Sequence, residues 1–255
     1  MYNELAQFYK ERVFACSLCR QRLMNPYLHR NPKHDPPDKA GYPENRRKYQ
    51  LDYIASKNDV RIVIIGEAPG LDGCGFGGIA FTGEYNAIYD LGLPDYHQTG
   101  SDLQKEQSAN LIYGALKTYC QRAGVTVAEA ARHIYLTNAI MCVPLNKNGR
   151  SIAAPSSATR KQCGDNLVRQ LEILKPPVIV TLGANALKAV AEAFALKVEG
   201  KLTEIVRRGH GNRLQVKPGC ELIPEIHPSP RNRVLGELYT TLPQRLNTIF
   251  SAWLE

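Results

Sequence analysis

The sequence predicts an α/β fold, a three-layer α/β/α sandwich with a central four-stranded, mostly parallel sheet. Two observations predict this class. Short, β-branched apolar runs alternate with longer helical patterns, and each run is apolar throughout, as in strands that are buried on both faces. The length of 255 residues suits a single domain, with residues 1–58 as an N-terminal extension and residues 59–255 as the α/β core.

The N-terminal extension begins with a helix predicted over residues 2–13, which leads into Cys16 and Cys19. Four prolines and one glycine between residues 31 and 45 predict an irregular loop. A short helix is expected over residues 49–56. This extension is expected to wrap on the core rather than form a separate domain.

The core elements then follow in alternation. A helix after Gly83 is expected, the helix over 105–123 ends at Gly124, and the helix over 158–174 stops before Pro176 and Pro177. A short hairpin within residues 203–217 is expected to turn around residues 209–212. The four predicted strands are residues 60–65, 134–138, 178–182 and 221–226. The two remaining helices are residues 184–194 and 240–254.

Polar or glycine residues occur where the predicted strands end. Gly66 and Glu67 follow the first strand, Asn138 ends the second, Gly183 follows the third and His227 follows the fourth. Open α/β sheets bind ligands beyond the carboxyl ends of their strands. These residues therefore mark the expected binding edge.

The charge balance favours a polyanionic partner. Lys and Arg number 32 against 24 Asp and Glu, a formal charge of +8, although a solvated basic surface gives the same count. No apolar run approaches the roughly 20 residues that span a bilayer, and the N-terminus lacks a signal-peptide core. We therefore expect a cytoplasmic protein (nucleoid-associated in a prokaryote) with no membrane partner and, by default, a monomer.

The cysteines suggest a metal site. Cys16 and Cys19 form a C-x2-C pair, Cys142 follows the second strand and Cys163 lies on the next helix. Two close ligands plus two from neighbouring elements fit a [4Fe–4S] cluster or a structural zinc, while buried or scattered thiols are the alternative. The total of seven cysteines argues against a fully paired disulfide framework.

Each pocket motif has a functional and a structural interpretation. Phe81, delivered by a glycine-rich loop, suits stacking on a flat ligand, but a core Phe is the simpler interpretation. Glu84 could equally be a helix N-terminal carboxylate. Asn138 has the donor and acceptor needed to read a base edge, or it caps a turn. His227 could stabilise negative charge on a carbonyl oxygen, although a lone His is more often structural.

Taken together, the motifs resemble the uracil-DNA glycosylase superfamily, most closely its iron–sulfur families four and five. The resemblance covers about residues 16–240. Glu67 in the first motif is like family four, whereas the Phe-Thr-Gly-acid segment and the residues Asn232 and Gly236 are more like family five. The motifs, in chain order, are Gly66-Glu-Ala-Pro-Gly70, Phe81-Thr-Gly-Glu84, Thr137-Asn138, Cys142 with Cys163, and His227-Pro-Ser229.

The resemblance implies a monofunctional DNA N-glycosylase that removes uracil from DNA and leaves an abasic site. Hypoxanthine or xanthine are possible further substrates, because no bulky residue in the first motif excludes a larger base. The implied catalytic residues are Glu67, Glu84 and His227, and the implied base-binding residues are Gly66, Ala68, Phe81 and Asn138. The implied DNA-backbone residues are Ser229, Arg231 and Arg233, with Arg231 and Arg233 also candidates for the wedge that enters the vacated base stack. The implied ligands of a structural [4Fe–4S] cluster are Cys16, Cys19, Cys142 and Cys163.

Two other interpretations remain. The first is a catalytically silent iron–sulfur module of the same fold that binds nucleic acid, although a pure binder needs none of Glu67, Asn138 and His227. The second is a zinc-containing binding protein. The colour of the protein separates the two metals, because iron–sulfur thiolates are brown.

Overall fold

The computed structural model describes residues 2–18, 23–98, 103–149, 151–209 and 212–255. Its strands are β1 (Leu23–Met24), β2 (Ile62–Gly66), β3 (Ile134–Asn138), β4 (Val143–Pro144), β5 (Val178–Leu182), β6 (Leu214–Lys217) and β7 (Cys220–Glu225). Its α-helices are α1 (Tyr2–Phe8), α2 (Tyr42–Ala55), α3 (Cys74–Gly77), α4 (Gln107–Ala123), α5 (Val127–Ala131), α6 (Ser157–Leu174), α7 (Ala184–Ala193), α8 (Leu202–Arg208), α9 (Glu237–Thr240) and α10 (Leu242–Leu254).

The central sheet has five strands in the order β3–β2–β5–β7–β6. The first four are parallel and lie at the predicted positions, and β6 pairs antiparallel with β7. The α/β class is confirmed, but the expected count of four strands is wrong by this edge strand. Pro218 and Gly219 make the turn that joins β6 to β7, because these residue types favour tight turns.

The first arm of the hairpin predicted within residues 203–217 is also wrong, and its predicted turn at 209–212 includes residues 210 and 211, which lie outside the described residues. Residues 202–208 form α8, whose Ile205 and Val206 are buried. Together with Leu202, these residues recur at the three- and four-residue spacing of a helix rather than the alternation of a strand. Helix α2 likewise begins seven residues earlier than predicted, at Tyr42 instead of residue 49, because Pro43 suits the first turn of a helix.

Helices cover both faces of the sheet. Every residue of β2, β3 and β5 is buried, which requires cover on each side. Helices α4 and α10 pack against each other, as do α6 and α7. The fully apolar sequences of these three strands therefore match their burial under helices on both faces of the sheet, including β3 at its edge.

A buried set of hydrogen bonds ties the N-terminus to the core. Helix α1 continues into a π-helical turn, Tyr9–Val13, and the Tyr9 hydroxyl donates to Gln170 Oε1 over 3.0 Å. The Tyr135 hydroxyl donates to the Tyr9 oxygen, also over 3.0 Å, and Thr137 Oγ1 donates to Gln170 Oε1 over 3.1 Å. Since buried hydroxyls need partners, these bonds fix where the extension lies.

Candidate active site

The carboxyl ends of the parallel strands open into a cleft of about 700 Å³. Gly66 at the end of β2 is paired in register with Asn138 at the end of β3. The carboxyl ends of β5 and β7 also lie next to each other, because the Gly183 amide, directly after β5, donates to the carbonyl of Glu225 at the end of β7 over 2.7 Å. Predicted site residues that line this cleft are Glu67, Ala68, Phe81, Asn138, His227, Ser229 and Arg231.

Gly66 allows Phe81 and Asn138 to approach each other. A Cβ atom at Gly66 would lie 2.5 Å from Asn138 Oδ1 and 2.5 Å from the tip of the Phe81 ring, closer than side chains tolerate. Phe81 itself has a φ of 52°, in the left-handed region that costs a non-glycine residue energy. The chain holds a strained backbone here, and the result is a ring placed directly over the strand end.

The Phe81 ring also faces His227. The two ring centroids are 5.9 Å apart, with 47° between the planes. The space between Phe81, Asn138 and His227 therefore has one aromatic face, one amide and one imidazole. These three groups can stack on a planar ring and bond to its edge.

His227 is held as a neutral donor. Its Nδ1 accepts from the Ser229 amide over 3.0 Å, so the ring proton of the neutral form lies on Nε2. Burial lowers the pKa of His227 to about 4, which keeps the ring neutral at pH 7. Asn232 Nδ2 donates to the His227 carbonyl over 2.8 Å and fixes the backbone. The imidazole can therefore offer an N–H to an oxygen that gains negative charge.

The two predicted carboxylates lie in different places. Glu67 lines the cleft, and its Oε2 accepts from Asn185 Nδ2 over 2.9 Å. Glu84 is buried, its Oε2 accepts from the Gln104 amide over 2.9 Å, and it is not among the described residues that line the cleft. Of the two predicted carboxylates, Glu67 therefore lies at the cleft, whereas Glu84 holds the backbone of the loop that carries Gln104.

The basic segment after His227 forms a short 3-10 helix, Pro230–Leu235. Ser229 begins it, and its Oγ accepts from the Arg231 amide over 3.4 Å. Arg231 reaches the cleft, while Arg233 is exposed and lies outside the described lining. Val234, 89% exposed, stands beside Arg233 on this helix, and sequence reasoning missed it because an isolated valine carries no motif.

Sequence reasoning also missed Glu106, which lines the cleft. Its buried Oε2 has no hydrogen-bond partner in the described part of the chain, and a Cβ at Gly73 would lie 1.9 Å from it. Burial, and then the charge of Asp72, raise the pKa of Glu106 to about 7. The glycine-rich stretch that contains Gly73 was the available signal, because it leaves room for a side chain from elsewhere.

The predicted metal ligands are only partly described. Cys142 and Cys163 are buried and Cys16 is half-buried, whereas Cys19 lies outside the described residues. Within the described ranges, no three Cys, His, Asp or Glu side chains gather into a metal-binding group.

The backbone nevertheless fits a shared thiolate site. Strand β1, which begins directly after residues 19–22, pairs antiparallel with β4, which begins directly after Cys142. The Asn25 side-chain Nδ2 donates to the carbonyls of Val13, over 2.8 Å, and of Cys16, over 3.1 Å, and so shapes the segment that carries Cys16. Thiolates are the ligand set that iron–sulfur clusters require.

None of the helices in the described ranges is long and apolar enough to cross a membrane.

The chain is similar in sequence to known uracil-DNA glycosylases. The chain is 32% identical over 120 residues to a type-4 uracil-DNA glycosylase of Thermotoga maritima, covering 44% of this chain and 56% of the relative. It is 38% identical over 82 residues to a type-4 uracil-DNA glycosylase of Archaeoglobus fulgidus, covering 30% of this chain and 39% of the relative. The chain thus spans about half the length of these two relatives, or less.

A type-5 uracil-DNA glycosylase of Pyrobaculum aerophilum is 27% identical over 186 residues, which cover 71% of this chain and 66% of the relative. The solved structure of Pedobacter heparinus SMUG2 superposes with a TM-score of 0.61 over 98% of this chain and 95% of its own, at 16% identity, which shows a shared fold. The family model of the uracil DNA glycosylase superfamily matches residues 53–250. The chain belongs to the uracil DNA glycosylase superfamily.

Proposed function

We propose that this protein is a monofunctional DNA glycosylase that flips uracil out of DNA and hydrolyses its N-glycosidic bond, leaving an abasic site. The observation that carries the proposal is that His227 lines the same cleft as Phe81, Asn138 and Glu67. Its Nδ1 accepts from the Ser229 amide, which leaves Nε2 of the neutral ring as the donor. The names of the three relatives support uracil as the substrate.

The cleft suits the capture of a flipped base. A base inside a duplex is unreachable, so the nucleotide must rotate out, which costs a few kcal/mol. Phe81 would stack on the base, and Asn138 would donate to and accept from its edge. Backbone amides near Gly66 and Ala68 would add donors.

Bond cleavage then depends on two charges of opposite sign. The C1′–N1 bond breaks with its electrons staying on the base, so the uracil oxygen gains negative charge while the sugar becomes oxocarbenium-like. His227 Nε2–H would stabilise that oxygen. Glu67 would position the water that adds to C1′ and stabilise the cationic sugar. The water loses one proton to solvent as the abasic hydroxyl forms at C1′, and the departed uracil anion takes up one proton from solvent, so the hydrolysis balances.

The segment after His227 would hold the DNA backbone. Ser229 and Arg231 lie at the cleft and would contact the phosphates that flank the flipped nucleotide, and Arg233 would contact the backbone further out. The exposed Val234 is the better wedge of the three side chains on this helix, because an apolar side chain enters a base stack without losing hydration of a charge.

A structural [4Fe–4S] cluster would be held by Cys16, Cys19, Cys142 and Cys163. Such a cluster crosslinks the segments that carry its ligands rather than supplying redox chemistry to a hydrolysis. The protein itself supports this arrangement, because Asn25 bonds to the Cys16 carbonyl and β1, which contains neighbouring residues, pairs with β4 directly after Cys142. Iron and sulfide analysis of wild type and Cys142→Ser tests this assignment against zinc.

The proposed substrate range includes hypoxanthine and xanthine. Gly70, at the end of the first motif, lines the cleft without a side chain, so no bulk there excludes a larger base or a 5-methyl group. We expect release of uracil first and of deaminated purines in addition.

The test is base release from identical duplexes that carry uracil, hypoxanthine, xanthine or thymine opposite guanine, scored by alkaline cleavage of abasic sites. His227→Ala and Asn138→Ala should lose release while the proteins stay folded. His133→Ala serves as the matched control, because His133 lies outside the lining of the cleft. Full activity in both site variants would overturn the pocket assignment, and no release by folded wild type would favour a silent nucleic-acid-binding module.

A further inference from the structure

Two exposed tyrosines stand directly after the Phe81–Glu84 motif. Tyr89 lies on a π-helical turn, Asn86–Asp90, and Tyr85 is the residue directly before that turn. The two ring centroids are 5.0 Å apart, with 47° between the planes. Tyr89 is 66% exposed and Tyr85 is 38% exposed. Single exposed apolar side chains are ordinary, but two aromatic rings in contact at the surface form a patch.

The backbone under this pair is firmly fixed. Ala87 is buried in the main core, and Asn86 Nδ2 donates to Asp90 Oδ2 over 2.8 Å in the interior. The Tyr85 amide donates to the Gln104 carbonyl over 3.4 Å. The two rings are therefore held outwards by a rigid base, which lowers the entropy cost of binding to them.

Two lysines accompany the rings. Lys105 Nζ lies 5.4 Å and Lys117 Nζ 5.8 Å from the centroid of the Tyr85 ring. Lys117 also pairs with Asp90 over 2.8 Å, whereas Lys105 forms no ion pair with the residues that the structure describes. Lys105 in addition lines the active-site cleft. An available cation therefore lies between the cleft and the tyrosine pair.

We propose that Tyr85 and Tyr89 form a stacking platform for an unpaired nucleobase next to the flipped nucleotide, with Lys105 on the phosphate that joins the two. This inference rests on the proposed function for the identity of the nucleic acid. Aromatic rings combined with cations are how proteins bind single strands, since every base has a face to stack. Both lysine ammonium groups lie over the Tyr85 ring. The ring of Tyr89, which is more exposed, is therefore the one on which a base would stack. The platform favours single-stranded or locally melted DNA over intact duplex, where neighbouring bases remain stacked on each other.

Substitution of Tyr89 tests the platform. Tyr89→Ala should lower kcat/KM for uracil release from single-stranded DNA by about 5- to 150-fold, the range of one base stack, and should change duplex release much less. Tyr89→Phe is the matched control, because it keeps the ring and should retain wild-type rates. Equal losses in both variants, equal losses on both substrates, or no loss in Tyr89→Ala would each overturn the proposal. No loss in Tyr89→Ala would instead indicate that the tyrosine pair contacts a protein partner.

A binding measurement separates this proposal from the glycosylase proposal. Single-stranded DNA with 2-aminopurine on either side of the target nucleotide is titrated with wild type and with Tyr89→Ala under conditions without turnover, using a non-cleavable uracil analogue. Quenching by wild type that Tyr89→Ala abolishes, at one flanking position, supports the platform even if base release is absent. Identical quenching by the two proteins would overturn it.

Discussion

A neutral His227 sets the acid limit of the expected reaction. Protonation would place an N–H on Nδ1, against the Ser229 amide that now donates to it. Because burial lowers the pKa of His227 to about 4, this change should begin near pH 4 rather than near 6.5. Single-turnover uracil release should therefore show no His227-dependent fall between pH 8 and 5.5. His227→Ala should lose about 10²- to 10³-fold in rate. A midpoint near 6.5 that disappears in His227→Ala would contradict the assignment.

Gly66 is the residue on which the pocket geometry depends. In Gly66→Ala the new Cβ would displace both Phe81 and Asn138, each 2.5 Å away. We expect base release to fall by about 10²-fold, the cost of a displacement of roughly 1 Å, while the fold persists. Gly114→Ala is the control, since nothing lies within 4 Å of a Cβ at that helix position. The control should be slightly more stable and fully active. An active Gly66→Ala would mean that the pocket tolerates another arrangement.

Glu106 should leave a signature in the pH dependence of stability. Its pKa is raised from 4.5 to about 7, so the folded state holds this proton more tightly than the unfolded state. The stabilisation from this more tightly held proton is fully present below about pH 4.5 and is lost as pH rises through about 7, a change on the order of 3 kcal/mol. Glu106→Gln should flatten this trend, so its advantage in Tm over wild type should be larger at pH 8 than at pH 5. An equal Tm difference at both pH values would contradict the raised pKa.

At the scale of elements, the buried ion pair Arg46–Asp35 fastens the irregular N-terminal loop to α2. Arg46 donates over 2.9 Å to each Asp35 oxygen and over 2.8 Å to the His29 carbonyl, with both side chains fully buried. Residues 46–48 are all basic, but the buried Arg46 is unavailable to bind a polyanion at the surface. Arg46 instead donates hydrogen bonds to buried backbone carbonyls of the irregular segment, which would otherwise lack partners.

Arg46→Met should therefore lower the free energy of unfolding by about 3–5 kcal/mol, because it leaves the Asp35 carboxylate buried without its cation. Urea unfolding measures this, with Lys48→Met, an exposed neighbour, as the control. The double variant Arg46→Met/Asp35→Leu should recover part of the loss. A loss no larger than that of Lys48→Met would show that water reaches the pair.

Some elements of the fold were predictable from the sequence, and others were not. The parallel strands and the residues at their ends were predictable. A short, apolar, β-branched run that alternates with helices is typical of a strand buried on both faces of an α/β sheet. Glu106 and the burial of Arg46 were not, because each depends on a contact with a segment more than ten residues away that no periodicity records. The same applies to β6, whose alternation of half-buried and exposed residues gives only a weak strand pattern.

For the whole molecule, the excess of eight positive charges predicts binding that weakens with salt. Log affinity for duplex DNA should fall linearly with log salt, with a slope set by the number of phosphates contacted. Arg231→Gln and Arg233→Gln should each reduce the magnitude of that slope by about 1. Titrations at several salt concentrations test this. An unchanged slope in both variants would place the DNA elsewhere on the surface.

The hydrogen bonds of Tyr9 also constrain the order of events during synthesis. Its two hydroxyl partners lie 126 and 161 residues further along the chain, at Tyr135 and Gln170. Helix α1 therefore emerges from the ribosome early but cannot reach its native contacts until α6 has been made. Until then its apolar side chains Leu5 and Phe8 stay open to solvent and to chaperones. Helix α1 is thus translated well before its native partners and is among the last elements to be fixed.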